Sequence, residues 1–363
     1  MIPLRILHAV PDRGSLEYLG VGPLLASLTD LGQSVAQLHR EDGIRSQVVG
    51  ESHRIPCDPR WWSWLTGGRK RCARDVALWT PDLIHVHTAG LLPVALDLCR
   101  DLSLGLVVST LTHEDAHAVR RLRDPLISWI LVPTEEHRVH LTSRAGIHRD
   151  RIAVVPPGAT SPKTPRTFRV EAGWRVGAIA ARKPEVFAAA VAELQSAGLS
   201  LEATLHTGLL GKRARERLTD RTGSLLLDDG PLGAFLATLD VLVLPEAGDH
   251  FIPLLVAAQV AGIPVITVAS PGITELLQDG ETGLVLGSAS QEALGDALRS
   301  LHDRERRSAM ATAALLRAGG SYTAPTIASA TLTVYRSCLG QSDSGHKAEV
   351  SRTWRRMTDS RLA

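Results

Sequence analysis

Aromatic residues make up only 4% of this 363-residue chain, so its cores must be built from aliphatic side chains rather than large rings. The four cysteines, Cys57, Cys72, Cys99 and Cys338, show no close pairing. That excludes a disulfide framework and a thiolate zinc site, and it suits a reducing, cytoplasmic setting. No stretch reaches the roughly 18 uninterrupted apolar residues that a membrane span requires, which leaves peripheral contact as the closest approach to a bilayer. Neither sign of charge dominates, since 40 Lys and Arg stand against 38 Asp and Glu for a formal +2. Nothing global therefore favours nucleic acid, and any anion site must be local. A Walker-type phosphate loop, a dinucleotide glycine fingerprint after the first strand and a glycine-flanked serine elbow are all missing.

What is present is an alternation of short apolar runs with longer helical patterns, the signature of parallel sheets wrapped by helices. In the first half the runs are 4–10, 34–38, 83–87, 105–111, 130–133 and 152–155. Pro156-Pro157-Gly158 ends the series, and a polar stretch carrying Pro162 and Pro165 follows. The rhythm then restarts at 175–180, 202–206, 224–227, 241–245, 265–268 and 283–286. This predicts an α/β chain of two doubly wound Rossmann-like domains: residues 1–158, a linker over 159–172, and residues 173–318. A helix over 319–340 is expected to pack back on the first domain, ahead of a polar, disordered tail over 341–363.

Five short motifs in the second half carry a family likeness together. They are Asp240-Val-Leu-Val-Leu-Pro245, Phe251-Ile-Pro-Leu-Leu255, Ala261-Gly-Ile-Pro-Val265, Pro271-Gly-Ile-Thr-Glu-Leu-Leu277 and Asp279-Gly-Glu-Thr-Gly283. In order and spacing they resemble the C-terminal half of retaining glycosyltransferases of the glycosyltransferase-B fold, family 4-like, group 1. Pro81-Asp-Leu-Ile-His-Val-His87, Thr110-Leu-Thr-His113, Val132-Pro-Thr-Glu135 and Ile152-Ala-Val-Val-Pro-Pro-Gly158 resemble its N-terminal half. The resemblance implies two domains with a cleft between them, a nucleotide-diphosphate sugar as donor, and a sugar, a lipid-linked molecule or a small molecule as acceptor. It implies no required metal or other cofactor.

It also implies roles residue by residue. Lys183 matches the lysine that meets the donor diphosphate. The family's neighbouring arginine is replaced by Ala178, so Arg182 is expected to stand in from a shifted position. Gly272, Ile273 and Thr274 open a helix whose amides face the donor phosphates and sugar. Of the family's paired glutamates the first becomes Asp249, a catalytic candidate with Glu246 close by, and the second, which holds ribose, becomes Ala257. Phe251, Ile252 and Pro253 match the loop that contacts sugar hydroxyls. His113, at the end of a predicted strand, matches the histidine that reaches the donor sugar. On the acceptor side stand Gly14 in a partial glycine loop and Trp61, Trp62 and Trp64, which ordinary packing explains at least as well. His85 and His87 alternate on a buried strand, where at least one is expected to be a satisfied core histidine.

Two other readings stay open. His113-Glu114-Asp115-Ala116-His117 fits a zinc hydrolase pattern, with Glu135 or Glu136 as third ligand, although that pattern needs a helix where a strand end is predicted. Ala178 and Ala257 also fit a glycosyltransferase-like subunit or regulator that no longer binds donor.

Overall fold

The computed structural model describes residues 2–10, 18–40, 53–57, 67–110, 122–162, 174–210 and 225–340. The chain divides into two compact units, the first made of Met1–Gly158 with Ala324–Ala363 and the second of Ala159–Thr323.

The sheet of unit 1 has seven described strands: β1 (Arg5–Ala9), β2 (Ser34–Arg40), β3 (His53–Cys57), β4 (Leu83–Val86), β5 (Gly105–Ser109), β6 (Ile127–Val132) and β7 (Ile152–Val154). Their order is β3-β2-β1-β4-β5-β6-β7, and every pairing is parallel. Helices cover both faces, which is why the strands read as unbroken apolar runs. On one face lie α1 (Val21–Asp30) and α11 (Ala324–Cys338), through Leu24, Leu25, Leu28, Ile327, Ala328 and Leu332. On the other lie α2 (Gly68–Trp79), α3 (Leu92–Leu102) and α4 (Glu135–Ala145), through Val76, Leu92, Ala95, Leu98 and Leu141. Thr134 caps α4 by accepting the His137 N–H, and Gly146 at φ 60° closes it.

β3 is a strand that the apolar runs do not announce. It lies at the edge of the sheet, where a strand may carry the Pro56 that a central strand excludes.

Unit 2 holds β8 (Trp174–Ile179), β9 (Leu201–His206), β10 (Leu226–Asp228), β11 (Val241–Leu244), β12 (Val265–Val268) and β13 (Gly283–Leu286), ordered β10-β9-β8-β11-β12-β13 and again parallel. Its described helices are α5 (Pro184–Ser196), α6 (Leu232–Thr238), α7 (Ile252–Val260), α8 (Pro271–Leu276), α9 (Gln291–Ser300) and α10 (Arg304–Ala318). Ser290 caps α9 and Asp303 caps α10, each accepting a first-turn N–H. Phe187, Ala190, Val191 and Leu194 of α5 join Leu294, Leu298 and Met310 in the core. Within this unit Ala159 pairs with Thr323, so the stretches that enter and leave it run side by side.

The strand order reverses between β1 and β4 in unit 1 and between β8 and β11 in unit 2. At such a reversal successive connections leave toward opposite faces and open a crevice at the carboxyl ends of the strands, where ligands bind in open α/β sheets.

One glycine tests the close packing of unit 2. A Cβ on Gly283 would lie 2.3 Å from the Val265 carbonyl oxygen of the neighbouring strand, a backbone atom that cannot yield cheaply. Gly283→Ala is expected to cost about 1–3 kcal/mol, read as a lower urea midpoint; an unchanged midpoint would contradict this packing.

Candidate functional site

At the reversal point of unit 2 the chain leaves β8 through Ala181, Arg182 and Lys183 and enters α5 at Pro184. Proline suits that position because its missing N–H has no partner to lose and its φ is already helical. Glu246, just beyond the adjacent β11, is 6% exposed. Its Oε1 accepts the N–H groups of Ala181, Arg182 and Lys183 at 2.8, 2.7 and 3.0 Å. One carboxylate oxygen therefore fixes the bend of the turn. The Arg182 Nε lies 3.7 Å from Glu246 Oε2 on a side chain that is 69% exposed, and Lys183 is exposed beside it. Solvent screens that ion pair, so it adds little stability, but it leaves two cations presented on a rigid turn.

The neighbouring edge belongs to Asp249, 7% exposed, whose Oδ1 accepts the Ser270 hydroxyl at 2.6 Å and the Gly272 N–H at 3.1 Å. The carboxylate thus ties the segment after β11 to the start of α8. Thr274 is exposed and its hydroxyl donates to the Ser270 and Pro271 carbonyls, while Ile273 is fully buried. Phe251 and Ile252 are fully buried and Pro253 is buried with them at the start of α7. Ala257 is half-buried on α7, and Ala178 is completely enclosed in β8. The structure therefore gathers Lys183, Arg182, Glu246, Asp249 and Gly272 at the carboxyl ends of three adjacent strands, and it places Phe251, Ile252 and Ile273 in the interior.

At the reversal point of unit 1 three histidines meet. His8 on β1 is in register with His85 on β4, and His87 follows that strand. His8 Nδ1 lies 2.9 Å from His87 Nε2. His85 bonds the Tyr335 hydroxyl through Nδ1 at 2.6 Å and the Ser109 hydroxyl through Nε2 at 2.8 Å. His85 is thus a hydrogen-bonded core residue, while His87 lines a cavity of about 40 Å³ with His85, Ser109, Pro157 and Thr331. Burial holds all three rings well toward the neutral form. His87 is pushed down to about 3 by burial; His8 is lowered well below the usual histidine value by burial and then by His87, and His85 by burial and then by His87 and His8.

His113, Gly14, Trp61, Trp62 and Trp64 lie outside the described residues, as does His117. Glu135 and Glu136 open α4, where Glu135 accepts from Arg138. Two features escape a reading of the sequence. The capping of residues 181–183 by Glu246 depends on which strands are neighbours. His8 carries no motif, and only its register with His85 marks it.

Two measurements follow from these edges. Glu246→Ala leaves three part-buried N–H groups without their acceptor and should cost about 1–3 kcal/mol, with Glu246→Gln losing less because its carbonyl still accepts; equal urea midpoints for all three proteins would refute the capping role. For the histidines, the unfolded chain takes up protons below about pH 6.5 that the folded rings refuse. Folding stability therefore declines as pH falls from about 6.5 toward the His87 value of about 3. Each ring contributes up to about 1.4 kcal/mol per pH unit. Denaturation at pH 7, 6 and 5 should show a shallower decline for His87→Gln, and parallel declines would show that His87 protonates equally in both states.

Comparison with known proteins agrees with this architecture. The model of Glycosyltransferase Family 4 matches residues 27–160, and that of Glycosyl transferases group 1 matches residues 225–317. A D-inositol 3-phosphate glycosyltransferase of Corynebacterium aurimucosum is 28% identical over 285 residues, covering 69% of this chain and 65% of that protein. The sulfoquinovosyl transferase SQD2 of Arabidopsis thaliana is 25% identical over 338 residues, covering 79% of this chain and 64% of that protein. The matched stretch thus spans just under two thirds of either relative's own length. Among solved structures, Anabaena HepE in complex with UDP and glucose superposes with a TM-score of 0.75 at 15% identity, covering 92% of this chain and all of that one. The sucrose-phosphate synthase of Thermosynechococcus elongatus gives 0.70 at 14% identity, covering 93% of this chain and all of that one. The chain has the glycosyltransferase-B fold, with a family 4 match lying almost wholly in its first unit and a group 1 match within its second.

Proposed function

We propose that the protein is a glycosyltransferase that holds the diphosphate of a nucleotide sugar at the carboxyl edge of unit 2 and transfers the sugar to an acceptor with retention of configuration. The observation that carries this reading is the turn 181–183: two exposed cations on a backbone locked by Glu246, at the point where the strand order reverses. Breaking an anomeric carbon to phosphate bond builds negative charge on the departing diphosphate while the sugar becomes oxocarbenium-like. A lysine ammonium and a guanidinium carried on a backbone held in place stabilise that charge as it develops. Because Glu246 already takes the three amides of the turn, the diphosphate is met by the Lys183 and Arg182 side chains. Asp249, anchored to Ser270 and Gly272, sets the wall beside them, and its carboxylate is the acid nearest the sugar in this reading. The half-buried Ala257 offers no group for ribose, so the nucleoside contributes less affinity than the phosphates. The solved neighbour in complex with UDP makes uridine donors the first to try, and the name of the D-inositol 3-phosphate glycosyltransferase suggests a polyol phosphate as acceptor.

The second reading, a glycosyltransferase-like protein that no longer binds donor, rests on Ala178 and Ala257. Calorimetric titration with UDP-, GDP-, ADP- and dTDP-sugars separates the two. We expect at least one donor to bind, and Lys183→Ala to weaken it about 10- to 100-fold, the loss of a charge-assisted contact. Absence of millimolar binding by every donor would favour the inactive relative, and unchanged affinity and turnover in Lys183→Ala would refute the assigned diphosphate contact.

A further inference from the structure

We propose that His8, His85 and His87 form a binding site for one divalent transition-metal ion of the zinc class. One nitrogen from each ring lies within 4.8 Å of the others. That separation is set by backbone: His8 and His85 are register partners on adjacent parallel strands, and His87 follows on the same face two residues later. At zinc–nitrogen distances of about 2.0–2.1 Å, tetrahedral ligand atoms sit roughly 3.3 Å apart, so ring rotations of modest size complete the site.

His8 is the residue that asks for a ligand. It is fully buried, and its Nε2 has no hydrogen-bond partner among the described residues. A buried polar atom left in that state costs stability unless something meets it. Either nitrogen of His8 can serve: Nε2 has no bond to lose, and Nδ1 exchanges its 2.9 Å contact with His87 for the ion. His85 must release one of its two hydroxyl partners, Tyr335 or Ser109, and the one that remains orients the ring, as outer partners of metal-bound histidines do.

The cavity of about 40 Å³ beside His85 and His87 supplies the rest. It has room for a water as fourth ligand, and three histidines with one open position form a known zinc arrangement. Among the described residues no carboxylate joins the group, so ions that favour imidazole, such as zinc, cobalt and nickel, should bind, and magnesium and calcium should not. The site lies in unit 1, whereas the proposed diphosphate contacts lie in unit 2, so metal binding and donor binding can fail separately.

The test uses the full chain stripped of metal with a chelator. Titration with zinc, followed by elemental analysis, should give one ion per chain, and cobalt should give the visible absorption of a tetrahedral site. His8→Gln and His87→Gln should each weaken zinc at least tenfold, with replacement of the exposed His148 by Gln leaving it unchanged. Should either variant fail to fold, long-range nitrogen spectra of the wild-type protein decide the matter: zinc should shift three imidazoles. Shifts confined to exposed rings such as that of His148, failure to bind zinc stoichiometrically, or equal affinity in folded His8→Gln and His87→Gln would overturn the proposal.

Discussion

A buried carboxylate is costly unless donors surround it, and Glu246 meets that demand with backbone. Its Oε1 takes three successive N–H groups from the turn that follows β8. The turn and the carboxylate stabilise each other: without Glu246 the three amides lack a partner, and without the turn the carboxylate lacks compensation. Because β8 and β11 are hydrogen-bonded neighbours, the two segments are held close before any side chain is considered. The same contact determines what faces outward. With the amides engaged, the turn offers solvent the side chains of Arg182 and Lys183 on a fixed backbone. Asp249 repeats the logic one strand further on, where it joins Ser270 and Gly272.

The two sheets place their polar groups by one rule. A parallel strand covered on both faces has no use for polar side chains along its length, so those that occur mark its ends or a specific partner. In unit 2 the polar groups gather after β8, β11 and β12. In unit 1 the histidines His8, His85 and His87 lie on β1 and on and just after β4, again at the reversal of strand order. Aliphatic layers enclose them there, with Ile6, Val107 and Leu131 among the buried neighbours of the same sheet. Such surroundings disfavour charge on the rings, and their hydrogen bonds run to one another and to hydroxyls.

How much of this was legible beforehand follows from where each signal lives. Buried parallel strands announce themselves as apolar runs, so β1, β2 and β4 to β13 are visible in the residue order, while β3 is masked by Pro56 and by its edge position. The motifs place Lys183, Asp249 and Gly272 in loops after strands, and the structure brings those loops together. The interior placement of Phe251 and Ile252 is readable from α7, whose nine residues are apolar except for Gln259 and so belong to a helix buried all round. The division of labour between Glu246 and Asp249 was not readable. Two acids three residues apart in an irregular segment look interchangeable until strand order assigns one to β8 and the other to β12. His8 was hidden for the same reason, since register between strands so far apart in the chain is not a local property.

The last described helix shows how far such non-local terms reach. Although α11 follows the whole of unit 2 in the chain, it belongs to unit 1, where Ile327, Ala328 and Leu332 pack with Val21, Leu24 and Leu25 of α1 over one face of the sheet. Unit 2 is therefore an insertion between Gly158 and Ala324. A Cβ on Gly158 would lie 3.0 Å from the Ala324 Cα, so the two edges of the insertion meet where a side chain would crowd the backbone. Closing the insertion also delivers Tyr335, fully buried, to His85. The polar cluster at the first reversal point is thus assembled from β1, β4 and the last described helix, so its members come from both sides of the insertion.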